Sequence, residues 1–196
     1  DRGGRMFDSG HAGAGVTSAA TEWLPAEGAT GDYFDLFVLV ANAQPTAAEV
    51  RVDYLLPDGT GLTKDYQVSA QSRFNIWVDL EDPRLASTAV SARVRSTNDV
   101  PIVVERAMWW PGGPGSWHEG HNSAGAVRTS TKWGLADGEV GGALGVETYI
   151  LIANTSPTGG TANVTLVFED GTTAVRAFAL LPNSRETVPV GFYFPE

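Results

Sequence analysis

The stretch FDLFVLVAN, Phe34–Asn42, returns later in the same chain as VETYILIAN, Val146–Asn154. In the first copy, apolar residues fill alternate positions and most of the positions between them. This pattern is typical of a central strand that is covered on both faces. Both copies end in Asn and are followed three residues later by a proline, Pro45 or Pro157. A strand written twice with the same ending indicates a duplicated β-rich unit.

The repeat extends to both sides of this strand. Upstream, HAGAGVTSAATEWLPAEG at 11–28 aligns with HNSAGAVRTSTKWGLADG at 121–138. Downstream, VDYLLPDGT at 52–60 aligns with VTLVFEDGT at 164–172. We expect structural roles for the repeated polar and aromatic residues and for one Glu-Arg dipeptide, namely His11 and His121, Trp23 and Trp133, Glu27 and Asp137, Arg73 and Arg185, and Glu105 with Arg106.

Two of these groups carry a specific expectation. We expect His121 to hold the turn between the two units through hydrogen bonds. We expect Glu27 and Asp137 to pair with a buried arginine or to cap a loop, with Arg106 and the pair Arg73 and Arg185 as the candidate partners.

Short strand patterns separated by turn residues run through both copies. After the repeated strand, Glu49–Leu56 alternates between polar and apolar residues, as in a strand with one face in water. Pro57-Asp58-Gly59 and its counterpart Glu169-Asp170-Gly171 then supply turn residues. This spacing of strands and turns predicts an all-β fold of two tandem immunoglobulin-like β-sandwich units.

The two copies end differently, and the difference sets the domain boundaries. The first copy continues past Pro83 through two more strand patterns, whereas the second stops one residue after Pro195. We therefore predict a first unit at 11–110, a Gly/Pro/Trp-rich junction at 111–120 and a truncated second unit at 121–196. Residues 1–10 resemble the end of a preceding repeat.

The resemblance at the N-terminus rests on three residues. Arg5, Met6 and Phe7 precede His11 as Ala-Met-Trp at 107–109 precedes the second copy. One interpretation is a fragment cut out of phase from a longer tandem array. The other is strand donation, in which this strand fills the unpaired edge of a neighbouring or the same second unit. Head-to-tail donation would build a filament.

The composition excludes several classes of function. The formal net charge is -10, and the only lysines are Lys64 and Lys132, which argues against a nucleic-acid partner. Cysteine is absent, so disulfides and thiolate chemistry are excluded. No apolar run approaches the roughly 20 residues that a membrane-spanning helix needs. Because the chain begins at Asp1 rather than Met, we expect a mature form or a piece of a longer protein.

No set of residues predicts catalysis. His118, Glu119 and His121 lie together, but their spacing is one residue short of the zinc-protease motif, and the Gly and Pro around them oppose a helix. A second carboxylate does not recur at a fixed distance from Glu27, as glycosidase chemistry would need. We expect a protein that is not an enzyme.

Two clusters are candidates for binding. Asp79, Glu81 and Asp82 in VDLEDP could hold Ca²⁺ through several carboxylate oxygens, although a solvated turn explains the same residues. Trp109, Trp110 and Trp117 in MWWPGGPGSWHEGH could stack on sugars or form a contact site, or they could cover the junction between the units.

The segments EWLPAEGATG, LVANAQP, DYLLPDGT, SAQSRFNIWV and VPIVVERAMWW together resemble a bacterial extracellular tandem repeat family. Its motifs are Trp-x-x-Ala-Glu-Gly and Glu-Arg-x-Met followed by an aromatic residue, and the resemblance covers nearly the whole chain. It implies β-sandwich modules on secreted or cell-surface proteins and implies no catalytic residues. The second unit departs from the pattern, because it has Asp137 in place of Glu and lacks a Glu-Arg-x-Met segment.

These observations lead to two functional expectations. The first is a non-catalytic structural or adhesive module of a bacterial surface or filament protein, with neighbouring copies or further repeats as partners. The alternative is a carbohydrate-binding or accessory module of a secreted hydrolase that uses the Trp-rich junction.

Overall fold

The computed structural model describes residues 11–111 and 117–195, and its regular secondary structure is almost entirely β-strand. The strands of the first part of the chain are β1 (Glu22–Trp23), β2 (Asp35–Asn42), β3 (Ala48–Leu55), β4 (Gly61–Val68), β5 (Ser72–Trp77), β6 (Ser91–Ser96), β7 (Val103–Trp110) and β8 (Glu119–Ala124). Two short 3-10 turns, Val78–Leu80 and Pro83–Leu85, separate β5 from β6. The second part contains β9 (Tyr149–Asn154), β10 (Gly160–Val167), β11 (Thr173–Leu180), β12 (Ser184–Pro189) and the one-turn helix α1 (Val190–Tyr193).

The first unit is a sandwich of two four-stranded antiparallel sheets. Their strand orders are β1-β6-β3-β4 and β5-β2-β7-β8. The pairs β2–β5 and β3–β6 match the pairs that the second and fifth and the third and sixth strands form in immunoglobulin domains. Strands β1 and β7 depart from that arrangement, because β1 pairs with β6 and β7 pairs with β2. Strand β2 is therefore central in its sheet, with β5 on one side and β7 on the other. The predicted cover on both faces is incomplete, because Phe37 and Leu39 on the outer face are only partly buried and Ala41 is exposed.

The core of the first unit is dense and apolar. Alternate residues of β3 point inward, so Val50, Val52 and Tyr54 are almost completely buried, while the residues between them are partly or fully exposed. Trp23 fills the centre, and its Nε1 donates to the carbonyl oxygen of Ile102 at 2.8 Å. Each such buried side chain contributes roughly 1.5–3 kcal/mol, so this unit has a large apolar contribution to its stability.

The second unit is an open version of the same architecture. It contains the pairs β9–β12 and β10–β11, and its buried apolar cluster consists of Val164, Phe178 and Val188. In the first unit, Val38 and Val40 on β2 are 2% and 1% exposed, whereas their counterparts on β9, Ile150 and Ile152, are only partly buried. Among the described residues, no strand pairs with β9 as β7 pairs with β2, and no strand pairs with β10 as β6 pairs with β3.

Strand β8 connects the two copies in an unexpected way. The sequence repeat assigns 111–120 to a junction and starts the second unit at 121. In the structure, Glu119–Ala124 pairs antiparallel with β7, and Ala126 bridges Leu24 next to β1. The start of the second copy therefore completes the sheet of the first unit. The physical reason is that β7 would otherwise expose a row of unpaired backbone groups.

The repeated tryptophans also end in different environments. Trp23 is 1% exposed, whereas Trp133 is 64% exposed and its Nε1 donates to the nearby carbonyl oxygen of Ser130 at 3.1 Å. In the first unit, β6 and β7 close over Trp23, and the described part of the second unit has no equivalent strands. The same repeated residue is therefore a core residue in one unit and a surface residue in the other.

Candidate functional site

A charged cluster lies at the inner face of β7, where the two copies meet. Arg106 is 1% exposed, and its Nη2 contacts both the Glu27 carboxylate and Nδ1 of His121, the latter at 2.6 Å. Its Nη1 donates to the carbonyl oxygen of His121 at 3.1 Å. Of the arginines considered as partners for Glu27, Arg106 is the one that the fold brings to it. This cluster fastens β8 and the loop after β1 to the same strand.

Burial lowers the pKa of two groups in this cluster. Burial lowers the pKa of Arg106 to about 10, which still leaves the guanidinium charged near neutral pH. Burial, the Arg106 charge and His11 together lower the pKa of His121. The ring of His11 lies 4.2 Å from that of His121 between centroids. A neutral His121 can accept the hydrogen bond from Arg106 through Nδ1, so Arg106 links Glu27 and His121 at this junction.

The second unit does not repeat this cluster. Asp137 occupies the position of Glu27, and it lies in an exposed loop with no ion pair among the described side chains. Glu105, beside Arg106, is partly buried on the opposite face of β7, across from Leu39 and Ala124. Within 11–111 and 117–195, the arginine–carboxylate pair that the sequence suggested for both units is therefore seen in the first unit alone.

The three junction tryptophans separate onto two faces of the sheet. Trp109 and Trp110 are neighbours in β7 and point to opposite sides, as adjacent residues of a strand do. Trp110 packs against the core and Phe34, with ring centroids 5.9 Å apart, and its Nε1 donates to Glu119 at 2.9 Å. Trp109 and Trp117 lie together on the other side, with centroids 5.9 Å apart. The predicted three-tryptophan site is therefore not one surface.

The outer face of this sheet carries a larger aromatic cluster, which we name the outer aromatic cluster: Phe37, Trp77, Trp109 and Trp117. Its ring centroids are 5.2 to 6.3 Å apart, and all four side chains are partly exposed. Trp117 Nε1 donates to the buried carboxylate of Asp35, which fixes that ring. Sequence reasoning missed Phe37 and Trp77, although alternation along β2 and β5 would have placed both on the outer face.

The acidic residues of VDLEDP have separate partners. Asp79 accepts from the backbone N–H of Gly31 and of Leu36, and burial raises its pKa. Glu81 accepts from Tyr66 and pairs with Lys64. Asp82 pairs with the Arg84 side chain and caps the second 3-10 turn, and the pKa of this carboxyl falls to about 2. Across 11–111 and 117–195, no three His, Asp, Glu or Cys side chains converge as metal ligands.

A contact between the units lies at the corner before β12. Arg185 is 2% exposed, and its Nη1 donates to the carbonyl oxygen of Gly28 at 3.3 Å. Its backbone N–H donates to the carbonyl oxygen of Leu56 at 3.4 Å. Its repeat counterpart Arg73 is exposed, and the Arg73 side chain bonds only Asn75 among the described residues. The sequence pairs these two arginines but carries no signal that one of them would be buried against the other unit.

Two further expectations from the sequence concern the N-terminal strand and membrane-spanning helices. Arg5, Met6 and Phe7 lie outside the described residues. The described helices include none long and apolar enough to cross a membrane.

Comparison with known proteins adds no functional assignment. No protein-family model matches the chain, and no curated protein matches it significantly. The crystal structure of Thermotoga maritima 1070 aligns over 57% of this chain and 97% of its own, with 16% identity and a TM-score of 0.49. The Anabaena sensory rhodopsin transducer aligns over 47% of this chain and 91% of its own, with 21% identity and a TM-score of 0.40.

Proposed function

We propose that this chain is a non-catalytic structural module of a bacterial surface or filament protein, and that a strand from a neighbouring unit completes its second sandwich. The observation that carries the proposal is the contrast between β2 and β9. One edge of β2 is paired with β7, whereas the corresponding edge of β9 has no partner in the described part of the chain. Tyr149 on β9 is 51% exposed.

The geometry of the first unit specifies the kind of strand that would fit. Strand β7 pairs with β2 from Asp35 opposite Trp109 to Ala41 opposite Val103, and it places Val104 and Met108 in the core. A donated strand would form the same ladder with β9 and bury its own apolar residues beside Ile150 and Ile152. Backbone pairing would supply affinity, and the alternate side chains would supply specificity.

The N-terminal residues are the donor that this proposal names. Arg5-Met6-Phe7 resembles Ala-Met-Trp at 107–109 in β7, because both segments place an aromatic residue directly after a methionine and lie ahead of the next repeat. Because the chain resembles extracellular repeats, the proposal includes secretion or surface display. Neighbouring copies, or further repeats of a longer chain, would be the partners.

Hydrogen exchange tests strand donation directly. The full chain is compared with a chain lacking residues 1–10 and with Met6→Asp, each at low and high concentration. We expect the β9 amides to exchange at least about tenfold more slowly in the full chain than in either altered chain, which corresponds to 1.4 kcal/mol. Both altered chains should lose this protection, while β2 remains unchanged as the internal reference. Equal β9 exchange, oligomeric mass and stability in all three would show that donation is wrong.

A second candidate function is binding of carbohydrate at the outer aromatic cluster. The observation in its favour is the row of partly exposed rings across β5, β2 and β7, with Trp117 held by Asp35. Aromatic rings fixed on a rigid sheet can stack against the apolar faces of sugar rings. This site would act independently of the second unit.

A glycan array separates this candidate from a purely structural role. We expect a binding glycan to be lost with Trp117→Ala and retained with Trp133→Ala, a matched change of an exposed tryptophan outside the cluster. Loss of one stacking contact should weaken binding by roughly 1 kcal/mol or more. Retained binding in Trp117→Ala, or no binding by the unaltered chain, would contradict this candidate.

A further inference from the structure

The contact between the two units consists of a corner and a turn. The corner is residues 181–185, before and into β12, and the turn is residues 56–60, between β3 and β4. Arg185 bonds the Leu56 carbonyl oxygen through its backbone, and a Cβ on Gly59 would lie 3.2 Å from the carbonyl oxygen of Pro182. The corner of the second unit is therefore seated directly on the turn of the first.

The first unit has the same corner, at residues 69–73. Gln71 and Asn183 both adopt a positive φ, of 49° and 46°. Ser72 Oγ donates to the carbonyl oxygen three residues before it at 2.8 Å, and Ser184 Oγ does the same at 2.8 Å. Because these internal bonds match, Arg73 has the same position relative to its corner as Arg185 has in the second unit.

The second unit also has the same turn, at residues 168–172. Gly59 and Gly171 have φ values of 77° and 84°. Asp58 accepts from the Thr60 backbone at 2.9 Å, and Asp170 accepts from the Thr172 backbone at 2.8 Å. Each unit therefore carries both halves of the contact.

One corner, at 69–73, and one turn, at 168–172, are not engaged in this contact in the described chain. Arg73 is exposed, while Arg185 is 2% exposed. A Cβ added at Gly171 would meet no atom within 4 Å, in contrast to Gly59. We propose that a second copy of this chain docks its Arg73 corner on the turn at 168–172 and so repeats the internal contact between molecules. This inference rests on the proposed structural function and names the partner and its contact surface.

The charges at the free halves are complementary. The turn of the first unit contains Pro57 and Asp58, whereas the free turn contains Glu169 and Asp170. In the first unit, the Gly28 carbonyl oxygen that receives Arg185 also accepts from the Val90 N–H, and the second unit has no described counterpart of Val90. An incoming Arg73 corner would face a turn with two carboxylates, Glu169 and Asp170, which favours a cation at this position.

The geometry of this docking is heterologous. The corner of one copy engages the turn of the next, so the first copy still presents a free turn and the next copy still presents a free corner. Contacts of this kind close into a ring or extend into a filament, depending on the rotation between copies.

Charge reversal and charge exchange test the contact in the full-length chain. Molecular mass is measured by sedimentation velocity over a range of concentrations for the unaltered chain, Arg73→Glu, Glu169→Arg and the control Arg128→Glu, which changes an exposed arginine elsewhere. We expect self-association in the unaltered chain and in the control. Each of the other two variants should weaken association by at least about tenfold.

Mixing the two interface variants gives the decisive readout. In the mixture, the unaltered Arg73 of the Glu169→Arg copy can face the unaltered Glu169 of the Arg73→Glu copy, and the introduced carboxylate can face the introduced guanidinium. We therefore expect the mixture to form heterodimers and larger mixed species at concentrations where each variant alone associates weakly. An unaltered chain that stays monomeric, equal effects of Arg73→Glu and Arg128→Glu, or a mixture without heterodimers would overturn the inference.

The same samples distinguish this inference from strand donation. If donation alone drives assembly, removal of residues 1–10 abolishes association and β9 protection, and Arg73→Glu leaves both unchanged. That result overturns the docking contact and keeps the proposed function. If Arg73→Glu abolishes association while β9 exchange never depends on residues 1–10, strand donation fails and the docking contact stands.

Discussion

At the scale of single residues, the first unit depends on a buried cation with a half-exposed partner. Arg106 is 1% exposed and the Glu27 side chain 40% exposed. Removal of a charge from water is costly unless the charge is paired, so the carboxylate and the two contacts to His121 together stabilise Arg106 in place. The pairing of Glu27 with an arginine was foreseeable, but the choice of Arg106 depended on the register of β7.

The pair predicts a measurable asymmetry between two glutamates. Glu27→Gln should lower the free energy of unfolding of the first unit by on the order of 1–3 kcal/mol, because it leaves Arg106 buried without a carboxylate. Glu22→Gln, which alters the more exposed pair with Arg93, should cost less than about 1 kcal/mol. Denaturant unfolding of both variants provides the measurement, and equal losses would contradict the structural importance of Arg106.

At the scale of strands, the alternation of side chains explains which face each residue occupies better than the sequence motifs do. Strands β2 and β3 follow their apolar periodicity closely, because one face of each must be buried. The same rule applied to β7 separates Trp109 from Trp110, which the shared motif had placed together. Strand β8, Glu-Gly-His-Asn-Ser-Ala, has no apolar alternation, and only the open edge of β7 accounts for its pairing.

Glycine at one position of β8 explains a local detail of this pairing. A Cβ on Gly120 would lie 2.5 Å from the ring of Trp109, which stands directly opposite it in the ladder. The absence of a side chain therefore makes room for an outer aromatic ring. The indole covers the backbone of β8 on one side and contacts Trp117 on the other.

At the scale of the whole molecule, the two units differ in the completeness of their cores. Val52 in β3 is 0% exposed, and its repeat counterpart Val164 in β10 is 8% exposed within a much smaller cluster. Large exposed apolar side chains in the second unit include Val167 at 75% and Phe192 at 75%. The second unit therefore derives less of its stability from buried apolar surface.

This difference predicts two separate unfolding transitions, with the second unit unfolding first. Val52→Ala should move the later transition by about 2 kcal/mol, because a cavity in a dense core is destabilising. Val164→Ala, the same change at the matching position, should move only the earlier transition, by less than about 1 kcal/mol. Calorimetry of monomeric samples measures both shifts. A single cooperative transition that responds equally to both changes would contradict independent units.

The sequence by itself determined the duplicated unit, the all-β class and the identity of most strands, because two-residue periodicity and turn residues act over short distances. Only the tertiary structure decided that β8 completes the first sheet, that Glu27 meets Arg106, that Phe37 and Trp77 join the tryptophans, and that Arg185 is buried while Arg73 is exposed. Each of these depends on which backbone edge or charge remains unpaired after the strands have packed. That is a property of residues far apart in the chain, so identical residues at matching repeat positions can be buried in one unit and exposed in the other.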